Sequence, residues 1–376
     1  MSRAEIVVVG AGCVGANLAY RLARHGARVT VLDAGPPAAG CSAVSFAWTN
    51  AFHKTPRDYH ALNAASMAEY PRLADELGGG TWLRQDGGLH WAEAPEAQAA
   101  LRETVERLRD WQYPVEVLSP SAARELEPDL HFGPTVGEVV FTPGEGYVEV
   151  MPLVAALLAA ARRLGARVLA GHRVTRVLRA GDRVSGVTTE DGARFEADAV
   201  VDCAGPATDE VARLAGIAMP LDRVPGRLVY TTPVATTLRR PINAPGVHFR
   251  PDGGGRIVLA TRDHDVTFDA GTAWAPAESL ARVVRHLPAL AAARVEAARV
   301  GVRPMPRDQK PMVGPVPGAD GFYVVVSHSG VTLGPLWGRI AAAELLDGTP
   351  DPRLAPYRPA RFLGSGVPAV PRGPER

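Results

Sequence analysis

The chain has 376 residues, 46% of them hydrophobic, with 41 Lys and Arg against 40 Asp and Glu. That is enough apolar material for one large or two to three smaller globular domains. The near-zero net charge, with no basic run or basic helix, excludes a nucleic-acid surface. Cys13, Cys41 and Cys203 are scattered and form neither a disulfide framework nor a metal-binding spacing, and the longest apolar stretch, about 150–161, is too short to cross a bilayer. With an N-terminus that runs straight into a strand, a cytoplasmic chain with no integral membrane segment is expected.

In chain order, residues 6–9 form a short β-branched run, long enough for a buried parallel strand. Gly10, Gly12 and Gly15 follow in G-x-G-x-x-G spacing, and 14–25 carries apolar residues at helical spacing. Gly26 stops that helix, 28–32 is a second strand, and Asp33 stands at its end. Strand, glycines, helix, strand and acid in this order fit a dinucleotide site. The glycines allow a tight turn and close approach to a pyrophosphate, the helix start offers free N–H groups, and the acid accepts from ribose hydroxyls.

The small, turn-rich stretch 34–52 reads as a loop able to lie along that cofactor. A helix is expected over 56–77, a hairpin over 82–91 around Gly87–Gly88, a helix over 95–111, a helix after Ser119, and a strand over 136–141. Residues 150–164 read as a helix and 167–169 as a strand; 174–178, 184–189 and 194–195 read as a small meander. The strand 199–202 then runs into CAGPATDEVARLAG, a second strand–glycine–helix passage. Strands over 224–232, 247–249 and 256–261 have a different character, flanked by Pro and Gly. A helix over 276–286, a strand over 321–326 and a helix over 335–346 complete the pattern, and the Pro/Gly/Arg-rich tail is expected to be mobile. Nucleotide-type segments at the start, middle and end imply interleaved domains rather than consecutive ones.

Four stretches in register now resemble the D-amino-acid oxidase family of flavoproteins, which includes glycine oxidase, sarcosine oxidase and D-amino-acid dehydrogenases. They are 7–33, the VVDCAG stretch within 199–205, GVRPMPRDQKPMVGPVP over 301–317, and the glycine-rich 322–338. The chain departs from the family pattern at Pro306, Arg307 and Gln309, where Thr, Pro and Gly are usual, at Ser327, and at Glu149–Val150 in place of Asp-Pro. The resemblance implies an α/β fold, with an FAD-binding Rossmann-like domain over 1–80, 145–223 and 301–362 interleaved with a β-rich mixed-sheet substrate domain over 81–144 and 224–300. The remaining 363–376 form the tail. It also implies FAD held by Gly10, Gly12, Cys13, Val14, Gly15, Asp33, Ser42, Val174, Ala204, Gly205, Gly330, Val331 and Thr332. With no cysteine beyond Cys203, non-covalent FAD is expected.

The activity implied is oxidation of an amine beside a carboxylate. Hydride leaves the α-carbon for flavin N5, and the imine is hydrolysed to a keto acid and an amine. The partners are a small amino-acid or amine substrate and O2 or another electron acceptor. Arg303 matches the family's carboxylate anchor, a role suited to a planar, bidentate guanidinium; the alternative is a pairing with Asp308 or a backbone carbonyl. His248 and Arg250 lie on a strand resembling the substrate-side strand, His328 lies in the loop before the last helix, and Trp48 is a candidate pocket wall. Each has an ordinary alternative, as a packed or solvated side chain. Tyr230 and Arg262 are weaker candidates, and Cys13 and Cys203 read as packing residues. Three other functions stay open: a specialised biosynthetic amine substrate, a non-catalytic flavin-binding subunit, and an NAD-dependent dehydrogenase, which leaves the three later stretches unexplained.

Overall fold

A computed structural model describes residues 3–261 and 275–362. The tail 363–376 and Arg262 lie outside the described residues. The chain packs as two compact units, Met1–Ala43, Val150–Val224 and Val302–Arg376 in the first, Val44–Glu149 and Pro225–Gly301 in the second.

In the first unit, strand β1 (Glu5–Val9) is nearly all apolar and buried, so it sits inside a sheet rather than at its edge. It pairs in parallel with β2 (Arg28–Asp33) on one side and with Ala199–Asp202 on the other. Arg167–Ala170 and Phe322–Val326 extend the parallel sheet, and Met312–Pro315 closes one edge antiparallel, giving six strands. Helix α1 (Cys13–Arg24) follows the glycine turn. The expected meander forms a separate three-stranded antiparallel sheet, Val174–Ala180, Arg183–Thr189 and Arg194–Glu196. Val7, Val9, Leu32, Val200, Phe322 and Val324 share a core with Val184 and Val187 of that sheet.

The closing helix, Gly330–Asp347, begins five residues before the expected start at Pro335 and keeps that proline inside. Packing against α1 decides this. A Cβ on Gly334 would meet Asn17 Nδ2 at 2.8 Å, and one on Gly338 would meet the Asn17 carbonyl carbon and oxygen at 2.9 Å. The two glycines let this helix lie closer to α1 than any side chain permits.

The second unit holds most of an eight-stranded sheet in the order Val295–Pro306, Leu221–Thr231, Arg256–Thr261, Val247–Asp252, Ile242–Ala244, Gly88–His90, Val139–Thr142, Glu116–Leu118, with residues 221–224 and 302–306 assigned to the first. Side chains alternate across it. Val229, Leu259, Phe249, Ile242 and Leu89 face one way, into a core that includes Leu280 and Val283 of the helix Pro276–Val284.

Three expectations are corrected. The hairpin over 82–91 does not form: Leu83–Arg84 joins a small sheet with Gly146–Val148, whereas Gly88–His90 enters the large sheet. The helix over 56–77 is two helices, Arg57–Met67 and Tyr70–Glu76. Residues 44–80, grouped by sequence with the nucleotide-type segments, pack in the second unit, because Phe52 and Met67 share a core with Val105, Leu108, Tyr113 and Val140.

Candidate active site

At the C-terminal ends of the parallel strands, the glycine turn is shaped by close approach. Gly10 has φ +104°, and a Cβ there would meet the Cys203 carbonyl oxygen at 2.5 Å. A Cβ on Gly15 would run into the Gly10 carbonyl oxygen. Gly12 differs: a Cβ there would meet only the Ser42 hydroxyl, at 3.1 Å. Gly12 is the N-cap of α1, which has no side-chain cap from that position and no acid in its first turn. The Cys13 N–H donates to Ser42 Oγ at 3.0 Å. A glycine cradle above a helix start with no acid in its first turn fits a diphosphate, whose charge the remaining amides and the helix dipole favour.

Asp33 ends β2, where its Oδ2 accepts from Ala11 N at 2.7 Å and its Oδ1 from Gly35 N at 2.9 Å. Each oxygen keeps a second lone pair for a ribose hydroxyl. The backbone N–H of His172, two residues before Val174, donates to the Asp33 carbonyl at 2.8 Å. Ala204 and Gly205 (φ +58°) follow the strand Ala199–Asp202, with the Ala204 N–H donating to Asp202 Oδ1 at 3.0 Å. Gly330 opens the closing helix beside Val14, whose Cγ2 a Gly330 Cβ would meet at 3.2 Å; Val331 and Thr332 continue that turn. Burial pushes the Cys13 thiol up to about 12 and raises Cys203 as well, so both are neutral packing groups.

Arg303 is half-buried in the strand Val295–Pro306, and its charge works against the burial that pushes the Cys41 thiol up to about 11. Asp308 is clamped by Arg361, with Nε at 2.7 Å from Oδ2 and Nη2 at 3.1 Å from Oδ1. His328 is exposed in the loop before the closing helix.

In the second unit, register lines up a polar row. His248 pairs with Asn243, and Asn243 pairs with His90 on the next strand. Arg250 and Tyr230 flank Val258 in a parallel row on the same face. Opposite an apolar face, this face carries His90, Asn243, His248, Arg250 and Tyr230. Trp48 lies over it, stacked on His90 with centroids 5.2 Å apart and edge-on to His248 at 6.0 Å.

Arg250 is 3% exposed. Its Nε donates to the Phe46 carbonyl at 2.5 Å, and its Nη1 donates to the Pro251 carbonyl at 2.6 Å and to Asp252 Oδ1 at 3.3 Å. Its guanidinium lies 4.8 Å from the Tyr147 ring centroid. The bond to Phe46 ties the sheet to the segment carrying Trp48, and the other two stay within Arg250's own strand.

Sequence reasoning passed over His90, Asn243 and the buried Glu145. The available signal was a polar residue at the inward position of an apolar strand, as in Gly88–His90 and Ile242–Ala244. Among the described residues no cluster of His, Cys, Asp or Glu could hold a metal, and no helix is long and apolar enough to cross a membrane.

Residues 5–344 match the family model for FAD-dependent oxidoreductases designated DAO. The chain is 29% identical over 374 residues to a glycine oxidase of Pseudomonas putida, covering 96% of this chain and 99% of that protein. Among solved structures it resembles glycine oxidase from Geobacillus kaustophilus (TM-score 0.86, 26% identity, 97% of this chain and 100% of that one). It also resembles iminodiacetate oxidase from Chelativorans sp. BNC1 (TM-score 0.82, 25% identity, 94% of this chain and 98% of that one).

Proposed function

Because the chain belongs to the DAO family of FAD-dependent oxidoreductases and so acts on amine donors, we propose that its substrate is an amino acid or N-substituted amino acid, oxidised at the carbon between amine and carboxylate. Bound FAD supplies the two-electron sink that accepts hydride from that carbon. The product is an imine, which water converts to a keto acid and ammonia or an amine. The α1 start, Gly12 and Ser42 would hold the diphosphate, Asp33 the ribose and Val174 the adenine side. Ala204, Gly205 and Gly330–Thr332 would line the flavin side. We take the FAD to be held non-covalently, because no cysteine follows Cys203.

The observation that carries the substrate class is the polar face of the second unit's sheet, with His90, Asn243 and His248 in one row and Arg250 and Tyr230 in the next. A sheet face of this kind suits a small polar substrate, with Trp48 as its wall. Arg303 has the planar, bidentate fork that a carboxylate anchor needs. The test is product analysis: incubation with glycine, N-methyl amino acids and D- and L-amino acids should yield a 2-oxo acid with release of ammonia or a primary amine. Oxidation confined to amines that lack a carboxylate would contradict it.

A further inference from the structure

Glu145 is a fully buried carboxylate to which no role has been given so far. Its Oε1 accepts three bonds, from Ala51 N at 2.9 Å, Phe52 N at 2.8 Å and the Tyr113 hydroxyl at 3.1 Å. Burial, and then the Glu145 charge, push the Tyr113 phenol well above its usual range, so it stays a donor. Oε2 has no hydrogen-bond partner among the described residues and stands 3.7 Å from Nε2 of His90.

His90 is held on every side. It is fully buried, with its ring between Phe52 (3.9 Å, 21°) and Trp48 (5.2 Å, 25°). Its Nε2 is 3.4 Å from Thr142 Oγ1, which donates to the Gly88 carbonyl. Its Nδ1 is 3.3 Å from Asn243 Nδ2, and that same amide nitrogen is 3.0 Å from Nε2 of His53.

An amide nitrogen only donates. With the amide nitrogen turned to both rings, its hydrogens point to His90 Nδ1 and His53 Nε2 and make those ring atoms acceptors, an orientation assigned from this network. The His90 proton sits on Nε2, facing Thr142 and the Glu145 carboxylate. A carboxylate on one side of an imidazole favours the tautomer that points its N–H that way.

We propose that His90 is a positioning residue of the substrate-side face and that Glu145 selects its tautomer, so that the imidazole holds the Asn243 amide and the Trp48 indole in one orientation. The proposal rests on the reading that this face receives the substrate. Glu145 reaches His90 on the same side of the sheet, where a Gly88 Cβ would meet its Oε2 at 3.5 Å, and acts through the imidazole.

The Glu145→Gln variant gives a sharp test. The oxygen of Gln must occupy the Oε1 position, where three donors converge, so its NH2 must occupy the Oε2 position. His90 then faces a donor at Nε2 and moves its proton to Nδ1, opposite the Asn243 NH2. The Asn243 amide has to turn.

The measurement is long-range 15N–1H correlation of imidazoles in the FAD-loaded, 15N-histidine-labelled protein at neutral pH, with His90 assigned from His90→Gln. The wild type should show the Nε2–H tautomer and Glu145→Gln the Nδ1–H tautomer. With the flavin spectrum unchanged, kcat/KM should fall about tenfold, the scale of one orienting hydrogen bond. Asn243→Ala should cost less in the Glu145→Gln background than in the wild type, because the two act through one contact. An Nδ1–H or doubly protonated His90 in the wild type, or a tautomer that Glu145→Gln leaves unmoved, would overturn the proposal. The tautomer is read without substrate, so it fails separately from the functional reading, which fails if no amine reduces the flavin.

Discussion

At the scale of single residues, Arg303 is the proposed carboxylate anchor. Removing a charge-assisted hydrogen bond costs about 1.5–3 kcal/mol, so Arg303→Ala should lower kcat/KM for a carboxylate substrate by roughly tenfold or more. The same variant should leave oxidation of the matching carboxylate-free amine nearly unchanged. Equal losses on both would mean that Arg303 supports the fold instead. Gly12 and Asp33 stand out in the sequence because they share one strand–turn–helix–strand passage, whereas the Cys203 carbonyl and the Ser42 hydroxyl beside that turn come from outside it. Asn243 and His90 were not, because they become neighbours only when Ile242–Ala244 pairs with Gly88–His90, two segments far apart along the chain. Arg250 shows the reverse. Its residue type and its strand suggested substrate binding, and only the fold reveals how many of its donors go to Phe46, Pro251 and Asp252.

At the scale of elements, the closing helix depends on its glycines. A methyl at position 338 would meet Asn17 backbone atoms at 2.9 Å, and backbone cannot rotate aside. Gly338→Ala should therefore lower stability by about 1–3 kcal/mol, seen as a reduced urea midpoint, and should weaken FAD retention because Gly330–Thr332 open the same helix. An unchanged midpoint would show that the two helices can move apart freely. The elements read correctly from sequence were those with a strong local period or cap, such as α1 and the short helix after Ser119, whose hydroxyl accepts from Ala122 N at 3.2 Å. Those misread were set by tertiary contact: Gly87–Gly88 suggested a hairpin, but strand partners from elsewhere took Gly88–His90.

At the scale of the whole molecule, acid sensitivity should be partly a histidine effect. His286 is 1% exposed, and burial together with Arg285 and His131 pulls it down from 6.5 to about 4. A histidine whose folded value is depressed contributes stability that is complete above 6.5 and lost as pH falls toward 4, because the unfolded chain takes up the proton first. The wild type should therefore lose up to about 3 kcal/mol more than His286→Gln between neutral pH and pH 4. Denaturant unfolding at several pH values checks this, and parallel curves for the two proteins would contradict it. Interleaving was legible at this scale because a second strand–glycine–helix passage returns at Ala199–Asp202. The placement of 44–80 was not, since it depends on Phe52 and Met67 finding a core with Val105, Leu108 and Val140.

The central claim, FAD-dependent oxidation of an amine beside a carboxylate, is tested most directly by an anaerobic titration. The FAD-loaded protein is mixed with glycine, N-methyl amino acids and D- and L-amino acids while the flavin band is recorded. Bleaching by at least one of these classes, with colour returning when an electron acceptor is admitted, is the result predicted here. A flavin that stays yellow with every amino acid, or a protein that takes up no FAD at all, would contradict it.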